Sequence, residues 1–256
     1  MIPVKPKKSL GQHFLTDKNI ARKIIAGLTW NGYNNLIEIG PGMGVLTEFL
    51  LELQNKEIRF LEIDNESIDY LQGRFPGSAD KIIRADALKT DLSSIYDEPF
   101  AVIGNFPYNI SSQLFFKILE NKDLVKETVC MIQKEVAVRL ASPPGSRDYG
   151  ILSVLLQAWY NIEYLFTVPP QVFIPPPKVQ SAVIRLTRNQ NNQLGCNEEL
   201  FKKVVKTAFN QRRKTLRNSV KSLLPDDPGD PILQNRPEQL GVGDFVRLTL
   251  LIEKEG

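Results

Sequence analysis

Four consecutive residues, Asn105-Phe106-Pro107-Tyr108, place an amide, a proline and two aromatic rings directly after a short apolar segment at 100–103. The proline fixes its own φ and disfavours the helical conformation at Phe106, so the turn is stiff. The amide oxygen of Asn105 and the carbonyl of Phe106 or Pro107 can accept hydrogen bonds from an exocyclic amino group, and Tyr108 can stack on a planar base. The turn therefore suits group transfer to an aromatic amine. Taken alone, it is equally compatible with an ordinary strand-to-helix loop.

A glycine-rich stretch, Glu38-Ile-Gly-Pro-Gly-Met-Gly44, lies between a predicted strand and a predicted helix, where nucleotide-type ligands bind. A dinucleotide fingerprint requires glycine at position 45, and this chain has Val45 instead. A mononucleotide-like cofactor without a pyrophosphate fits better. We expect S-adenosylmethionine, lying against the bare backbone of Gly40 and Gly42.

Two acidic residues close the next two predicted strands. Glu62 ends the second strand, about twenty residues after the glycines, and is placed to accept hydrogen bonds from ribose hydroxyls. Asp86 ends the third strand and can accept from an adenine amino group. Either acid alone could be a helix cap or a solvated loop residue. Together with the glycines, at successive strand ends, they predict a cofactor site.

The elements that must position these residues alternate between strand and helix. Helices are predicted after a cap at Thr16 or Asp17, over 45–53, through Ile68 and Leu71, after a cap at Ser111 or Ser112, and over 134–140 and 150–160. The predicted strands cover 35–40, 57–64, 81–86, 100–103, 127–133, 162–168 and 179–186. Such alternation predicts a parallel sheet covered on both faces, and the proline-rich connection between the last two strands predicts an antiparallel hairpin at the edge.

Length and composition limit the alternatives. A chain of 256 residues can hold one large domain and a small one, and we expect a sheet domain over 1–188 and a helical domain over 196–256, joined by a polar linker. The two cysteines are far apart and predict neither a disulfide framework nor a metal knuckle. His13 is the sole histidine, which argues against a histidine triad or a multi-histidine metal site. We expect no bound metal, no membrane segment and a cytoplasmic location.

A basic stretch supports a nucleic-acid partner independently of the turn. Between Phe201 and Leu224 there are eight basic residues and no acidic residue. A solvated helix face usually mixes the two signs of charge, so one-signed charge indicates a surface that follows phosphates. The candidate RNA-binding residues are Lys202, Lys206, Arg212, Arg213, Lys214 and Arg217.

With these residues in place, the sequence resembles the small-subunit ribosomal RNA adenine N6,N6-dimethyltransferases (KsgA type). Seven motifs occur in order over nearly the whole chain. They are Ser9-Leu-Gly-Gln-His-Phe-Leu15, Glu38-Ile-Gly-Pro-Gly-Met-Gly44, Glu62-Ile-Asp64, Asp86-Ala87, Asn105-Phe-Pro-Tyr-Asn-Ile-Ser111, Val168-Pro-Pro-Gln-Val-Phe-Ile-Pro-Pro-Pro-Lys-Val-Gln-Ser181 and Ala208-Phe-Asn-Gln-Arg-Arg-Lys-Thr-Leu-Arg-Asn-Ser219.

The resemblance implies a Rossmann-like class I methyltransferase domain with a seven-stranded sheet, and a small all-helical C-terminal domain. The implied activity is dimethylation of two adjacent adenosines in a hairpin loop near the 3′ end of small-subunit rRNA, on a pre-30S particle. The implied cofactor contacts are His13, Leu15, Gly40, Glu62, Asp86 and Asn105. His13 stands where many members have Asn, and Phe106 where many have Leu. Phe173 matches a second aromatic residue beside the target base, with core packing as its alternative role.

Two other functions remain open at this point. A large-subunit rRNA methyltransferase of the macrolide-resistance type shares the fold and the Asn-x-Pro-Tyr turn. A ribosome-assembly factor that acts mainly by binding would keep the basic surface, although the intact Glu62 and Asp86 argue against lost activity. Nothing in the sequence suggests an obligate oligomer interface, and we expect a monomer.

Overall fold

The computed structural model describes residues 4–224 and 228–255. Its strands are β1 Phe14–Leu15, β2 Asn35–Ile39, β3 Glu57–Glu62, β4 Ile82–Arg84, β5 Phe100–Asn105, β6 Val125–Gln133, β7 Tyr160–Val168, β8 Phe173–Ile174 and β9 Ser181–Arg188. Its α-helices are α1 Lys18–Ile25, α2 Thr47–Leu50, α3 Asn65–Arg74, α4 Ser111–Glu120, α5 Lys134–Ala141, α6 Ile151–Gln157, α7 Glu198–Asn210, α8 Leu216–Ser219 and α9 Val242–Glu255.

Seven of these strands form one sheet in the order β4-β3-β2-β5-β6-β9-β7 within the described residues. Pairing is parallel from β4 through β6, and β9 joins β6 in antiparallel register. All five residues of β2 and the first five of β5 are buried, as expected for parallel strands covered on both faces. The predicted fold class, including the antiparallel edge, is confirmed.

The connection order creates a switch point in the sheet. From β2 the chain proceeds to β3 and β4 on one side, and then β5 returns to pair with the other side of β2. The carboxyl ends of β2 and β5 therefore lie side by side, with loops that diverge from each other. Open α/β sheets bind ligands in the crevice at this position.

A small second sheet was not predicted from the sequence. Phe14 and Leu15 of β1 pair antiparallel with Ile174 and Phe173 of β8. The pair is continued by Thr16, whose backbone N–H and hydroxyl both donate to the carbonyl of Val172. The N-terminal segment is thereby tied to the proline-rich loop.

The helix limits in the structure agree with the sequence prediction in one case and differ from it in two. Asp17 caps α1 as expected, accepting from the backbone N–H groups of Asn19 and Ile20. The prediction that Ser111 or Ser112 caps α4 is wrong: the cap residue is Ile110, without a side-chain hydrogen bond, and Ser111 is already the first helical residue. α2 is a single α-helical turn and not the predicted helix over 45–53, because residues 42–46 form the turn that contains the glycines.

The described chain divides into two compact units. One comprises residues 4–137 and 162–188, and contains the edge of the sheet where the carboxyl ends of the parallel strands lie. The other comprises residues 138–161 and 189–255, apart from 225–227, and is built around α7 and α9, which pack against each other. The helical unit thus takes in a segment, 138–161, that lies before the boundary at 188 expected from the sequence. Among the described residues, none of the helices combines the length and the apolar character that a membrane span needs.

Candidate active site

A cavity of about 240 Å³ opens at the carboxyl ends of the parallel strands. Gly40 follows β2, Glu62 ends β3, Asp86 follows β4 and Asn105 ends β5, and all four residues line the cavity. Gly42, Pro107, Tyr108 and His13 line it as well. The structure therefore brings together most of the residues predicted to hold a cofactor and to act on a base.

The glycine loop presents bare backbone to this cavity. Gly40 and Gly42 have φ of +68° and +55°, which side chains rarely tolerate. A Cβ built on Gly42 would lie 2.8 Å from the ring of Phe14, whereas one built on Gly40 would meet no atom within 4 Å and would project into open space. The loop is therefore closed against Phe14 on one side and free for a ligand on the other.

Glu62 is fixed by its own surroundings. One carboxylate oxygen accepts from the backbone N–H of Gly42 at 3.0 Å, and the other accepts from the N–H groups of Ile63 and Asp64 at 2.9 Å each. The residue is almost fully buried, and this desolvation raises the pKa of Glu62 despite the three hydrogen bonds. The carboxylate is thus locked in orientation and joined directly to the glycine loop.

Beyond Glu62, the residues that line the cavity include the polar Asp86 and the apolar Ile63 and Leu88. Asp86 uses one oxygen to accept from the backbone N–H of Leu88 at 3.0 Å, which holds its carboxyl at the cavity edge. Ile63 also lines the cavity and is 49% exposed, which is unusual for an isoleucine next to the core. Ile63 and Leu88 were not among the residues predicted from the sequence. The sequence does contain a pattern that could have identified them, because an apolar residue closely follows each strand-end acid: Ile63 comes directly after Glu62, and Leu88 two residues after Asp86.

The N-terminal segment also lines the cavity and is anchored through polar side chains. The Lys7 ammonium pairs with the carboxylates of Asp64 and Glu66, and Gln12 donates to Asp64 at 3.2 Å. Desolvation opposes ionisation of Asp64, but its hydrogen bonds with Lys7, Gln12 and Ser67 outweigh it and lower the pKa of this carboxyl. We call residues 7–15 the N-terminal strap. It lies over the cavity because these bonds and β1 hold it at both ends.

The strap also sets the orientation of the amide at the head of the turn. The Asn105 side-chain nitrogen donates to the backbone carbonyl of His13 at 2.8 Å. The amide oxygen therefore points away from that bond and is left to accept from a ligand. Phe106 is buried, with its N–H donating to the carbonyl of Met131 and its ring packed edge-on against Phe115. The buried ring anchors the turn, so Pro107 and Tyr108 face the cavity.

Two predicted contact residues do not line this cavity. Leu15 and Phe173 are 3% and 2% exposed, lie opposite each other in the β1–β8 pair and belong to the hydrophobic core. Leu15 borders a smaller neighbouring cavity beneath the glycine loop. Phe173 lines neither cavity, and its place beside the target base stays a prediction. At the turn itself, the rings of Tyr108 and His13 are stacked with centroids 5.4 Å apart.

The predicted RNA-binding residues all belong to the helical unit. Lys206, Arg213, Lys214 and Arg217 are exposed there. Lys202 is paired with Glu199 at 2.7 Å. Arg212 differs from the others, since its guanidinium donates to the backbone carbonyls of Ser146 and Arg147, at 3.3 and 2.6 Å. These bonds make Arg212 an anchor for the 143–148 loop, which the charge pattern alone could not reveal.

Comparison with known proteins decides which family uses this arrangement. The family model described as ribosomal RNA adenine dimethylase matches residues 4–237. The chain belongs to this family. It is 58% identical to the ribosomal RNA small subunit methyltransferase A of Parabacteroides distasonis, over 98% of this chain and 95% of that protein. It is 54% identical to the protein of the same description from Porphyromonas gingivalis, over 99% and 100%.

Two solved structures agree with the assignment to the adenine dimethylase family. A dimethyladenosine transferase from Plasmodium falciparum is 26% identical and superposes with a TM-score of 0.79, covering 95% of this chain and 98% of that one. The 23S rRNA methyltransferase ErmE is 25% identical, with a TM-score of 0.64 and coverage of 92% and 99%. The family, the fold class and the enzyme class predicted from the sequence are confirmed.

Proposed function

We propose that this protein dimethylates N6 of two adjacent adenosines in the 3′-terminal hairpin loop of small-subunit rRNA, with S-adenosylmethionine as methyl donor. The observation that carries the proposal is the Asn105 amide. Its nitrogen is committed to the His13 carbonyl at 2.8 Å, so its oxygen is presented at the end of β5 as a fixed acceptor. A fixed acceptor beside an aromatic ring is what an adenine amino group requires.

The cavity residues fit the cofactor. Gly40 leaves open space where a side chain would project, Glu62 and Asp86 supply carboxylate acceptors for hydroxyl and amino groups, and Ile63 supplies an apolar surface for a flat ring. When bound, S-adenosylmethionine supplies an electrophilic methyl group on a sulfonium. The chain supplies orientation, because residues of the strap, the glycine loop and the turn all line the cavity.

The turn acts on the amine by hydrogen bonding. The Asn105 oxygen and the carbonyl of Phe106 or Pro107 accept from the two N6–H groups, which draws the nitrogen lone pair out of conjugation with the ring. Stacking on Tyr108 fixes the base at a set distance and is worth about 1–3 kcal/mol. Catalysis then depends on positioning and on oriented dipoles.

No general base is needed for this reaction. The amine becomes strongly acidic once it has accepted a methyl group, so water can take the proton. A reaction without a general base is consistent with the turn, where the groups proposed to face the base are amide and carbonyl oxygens. His13, the single histidine of the chain, already uses Nδ1 to contact the Pro175 carbonyl at 2.7 Å.

The helical unit is the proposed RNA-binding part. The exposed Lys206, Arg213, Lys214 and Arg217 supply phosphate contacts, and a hairpin-loop adenosine is already partly unstacked, which lowers the cost of extruding it. The substrate is a pre-30S particle, on which the protein acts as a monomer in the cytoplasm. The identity of 58% and 54% to small-subunit methyltransferases A supports this substrate over large-subunit RNA, for which the similar ErmE is 25% identical.

The test is methyl transfer to purified ribosomal particles. Recombinant protein, S-adenosylmethionine and small subunits from a strain lacking the modification should yield N6,N6-dimethyladenosine at two adjacent positions, mapped by mass spectrometry. Large subunits treated in parallel should remain unmodified. Absence of dimethyladenosine in the small-subunit RNA would refute the proposal, and modification of the large subunit alone would favour a macrolide-resistance function.

A further inference from the structure

The proline-rich loop between β8 and β9, residues 175–180, has so far no part in the proposed reaction. It is followed by Ser181, the first residue of β9, which pairs with Gln133 across the sheet and has no exposed surface. Ser181 does not line the cavity. It is nevertheless one contact away from it.

The hydroxyl of Ser181 is hydrogen-bonded to the phenol oxygen of Tyr108 at 2.6 Å. At the other end of the loop, the carbonyl of Pro175 accepts from Nδ1 of His13 at 2.7 Å. The two rings held in this way, Tyr108 and His13, are stacked on each other at 30° and both line the cavity. The two ends of the loop therefore hold both rings, one through the backbone carbonyl of Pro175 and the other through the buried hydroxyl of Ser181, which directly follows the loop.

These contacts restrict the Tyr108 ring. A tyrosine side chain has two rotatable angles before its ring, and a bond at the phenol oxygen limits both when the partner is rigid. Ser181 is rigid, because it belongs to a strand in the interior of the sheet. The His13 ring covers one face of Tyr108, so a base can stack on the other face.

We propose that Ser181 is a positioning residue of methyl transfer, which fixes the angle of the Tyr108 ring and hence the distance of the target base from the methyl donor. The inference rests on the proposed function, since it assigns Tyr108 to the base. Ser181 acts through Tyr108 and touches neither the base nor the cofactor. This gives Ser181 a role in the rate of methyl transfer rather than in cofactor binding.

The test compares Ser181→Ala, Tyr108→Phe and the double variant in the full-length protein. Each single variant removes the same hydrogen bond, from the two opposite sides. Single-turnover methyl transfer to small subunits should fall about three- to tenfold in each, as expected for one hydrogen bond, and the double variant should be no slower than the slower single variant. The dissociation constant for S-adenosylmethionine, measured by calorimetry, should not change. Ser78→Ala is the matched control, since Ser78 is also buried but donates to the Phe75 carbonyl within its own turn.

A second measurement needs no catalysis. In protein with ¹³C-labelled tyrosine, the ring resonance of Tyr108 is assigned by its loss in Tyr108→Phe, and it should shift in Ser181→Ala but not in Ser78→Ala. A wild-type rate in Ser181→Ala, or losses that multiply in the double variant, would overturn the inference. If the wild-type protein methylates no RNA while the resonance still shifts, the proposed function has failed and the contact stands; an unmoved resonance would refute the contact itself.

Discussion

Glu38 allows a quantitative test of the electrostatics beneath the glycine loop. It lies within β2, is 1% exposed, accepts from the Thr47 hydroxyl at 2.7 Å and borders the smaller cavity. Burial, with a further contribution from Glu62, raises the pKa of Glu38 to about 8 from its ordinary value of 4.5. The folded chain therefore binds this proton more tightly than the unfolded chain does. The resulting stability is present below pH 4.5 and is lost as pH rises toward 8.

The size of the effect follows from the two pKa values. One proton of difference between folded and unfolded states changes the free energy of unfolding by about 1.4 kcal/mol per pH unit. From about pH 5 to about pH 8 the difference is close to one proton except at the two ends of the window, so the loss amounts to about 3–4 kcal/mol. Glu38→Gln keeps an acceptor for Thr47 and has no proton to lose, so it should lack this part of the pH dependence.

Urea unfolding of the wild-type protein and of Glu38→Gln at about pH 5 and about pH 8 measures the difference directly. Glu98→Gln, at an exposed position, is the control and should follow the wild type. The ¹³C resonance of the Glu38 carboxyl should titrate near pH 8 in the folded protein. Identical pH dependence in wild type and Glu38→Gln, or titration of the resonance near pH 4.5, would refute the reasoning.

Three further predictions concern the turn, the glycine loop and the basic surface. Asn105→Ala should lower single-turnover methyl transfer by about 100-fold or more with RNA affinity unchanged in filter binding, because it removes a preorganised acceptor; equal losses in both would contradict its role. Gly42→Ala should weaken cofactor binding in calorimetry, since the strained φ of +55° and the 2.8 Å approach to Phe14 cost about 1–3 kcal/mol; an unchanged affinity would remove the loop from the site. Arg213→Glu should lower RNA affinity and reduce the dependence of log affinity on log salt concentration by about one or more. Arg212→Lys should keep this salt dependence and lower the melting temperature by about 2–4 °C. The opposite pattern would make Arg212 the phosphate contact.

The strand ends were predictable because their signals are local. A buried apolar run followed by glycine or an acid marks the carboxyl end of a parallel strand, and this pattern alone puts Gly40, Glu62, Asp86 and Asn105 at one edge of the sheet. Helix limits were less predictable. Ser111 has the composition of a cap, but the cap position falls one residue earlier, at Ile110, whose φ of −120° and ψ of 0° lie outside the helical region, so the serine is already the first helical residue.

The remaining features of the site depend on contacts between distant segments. Nothing in the sequence near Phe173 indicates that β8 pairs with β1, and this pairing is what turns its ring into the core. The anchoring role of Arg212 depends likewise on the carbonyls of Ser146 and Arg147, 66 and 65 residues earlier in the chain. Motif and charge pattern predicted functional roles for Phe173 and Arg212. Only the fold shows which residues their side chains contact.

Dimethylation places a second demand on the turn, because the same geometry must accept adenine and then N6-methyladenine. Adenine offers two N6 hydrogens and the monomethylated base only one, so one of the acceptors around the turn loses its partner after the first transfer. The Asn105 oxygen cannot rotate to follow the change, since its amide nitrogen is held by His13. The base must therefore present its remaining hydrogen to a fixed acceptor, with the new methyl group directed elsewhere. On the proposed assignment of Tyr108 to the base, a ring held at its hydroxyl by Ser181 would keep the base plane constant during that exchange. We therefore propose that the strap, by fixing Asn105, and Ser181, by fixing Tyr108, allow one site to perform both transfers.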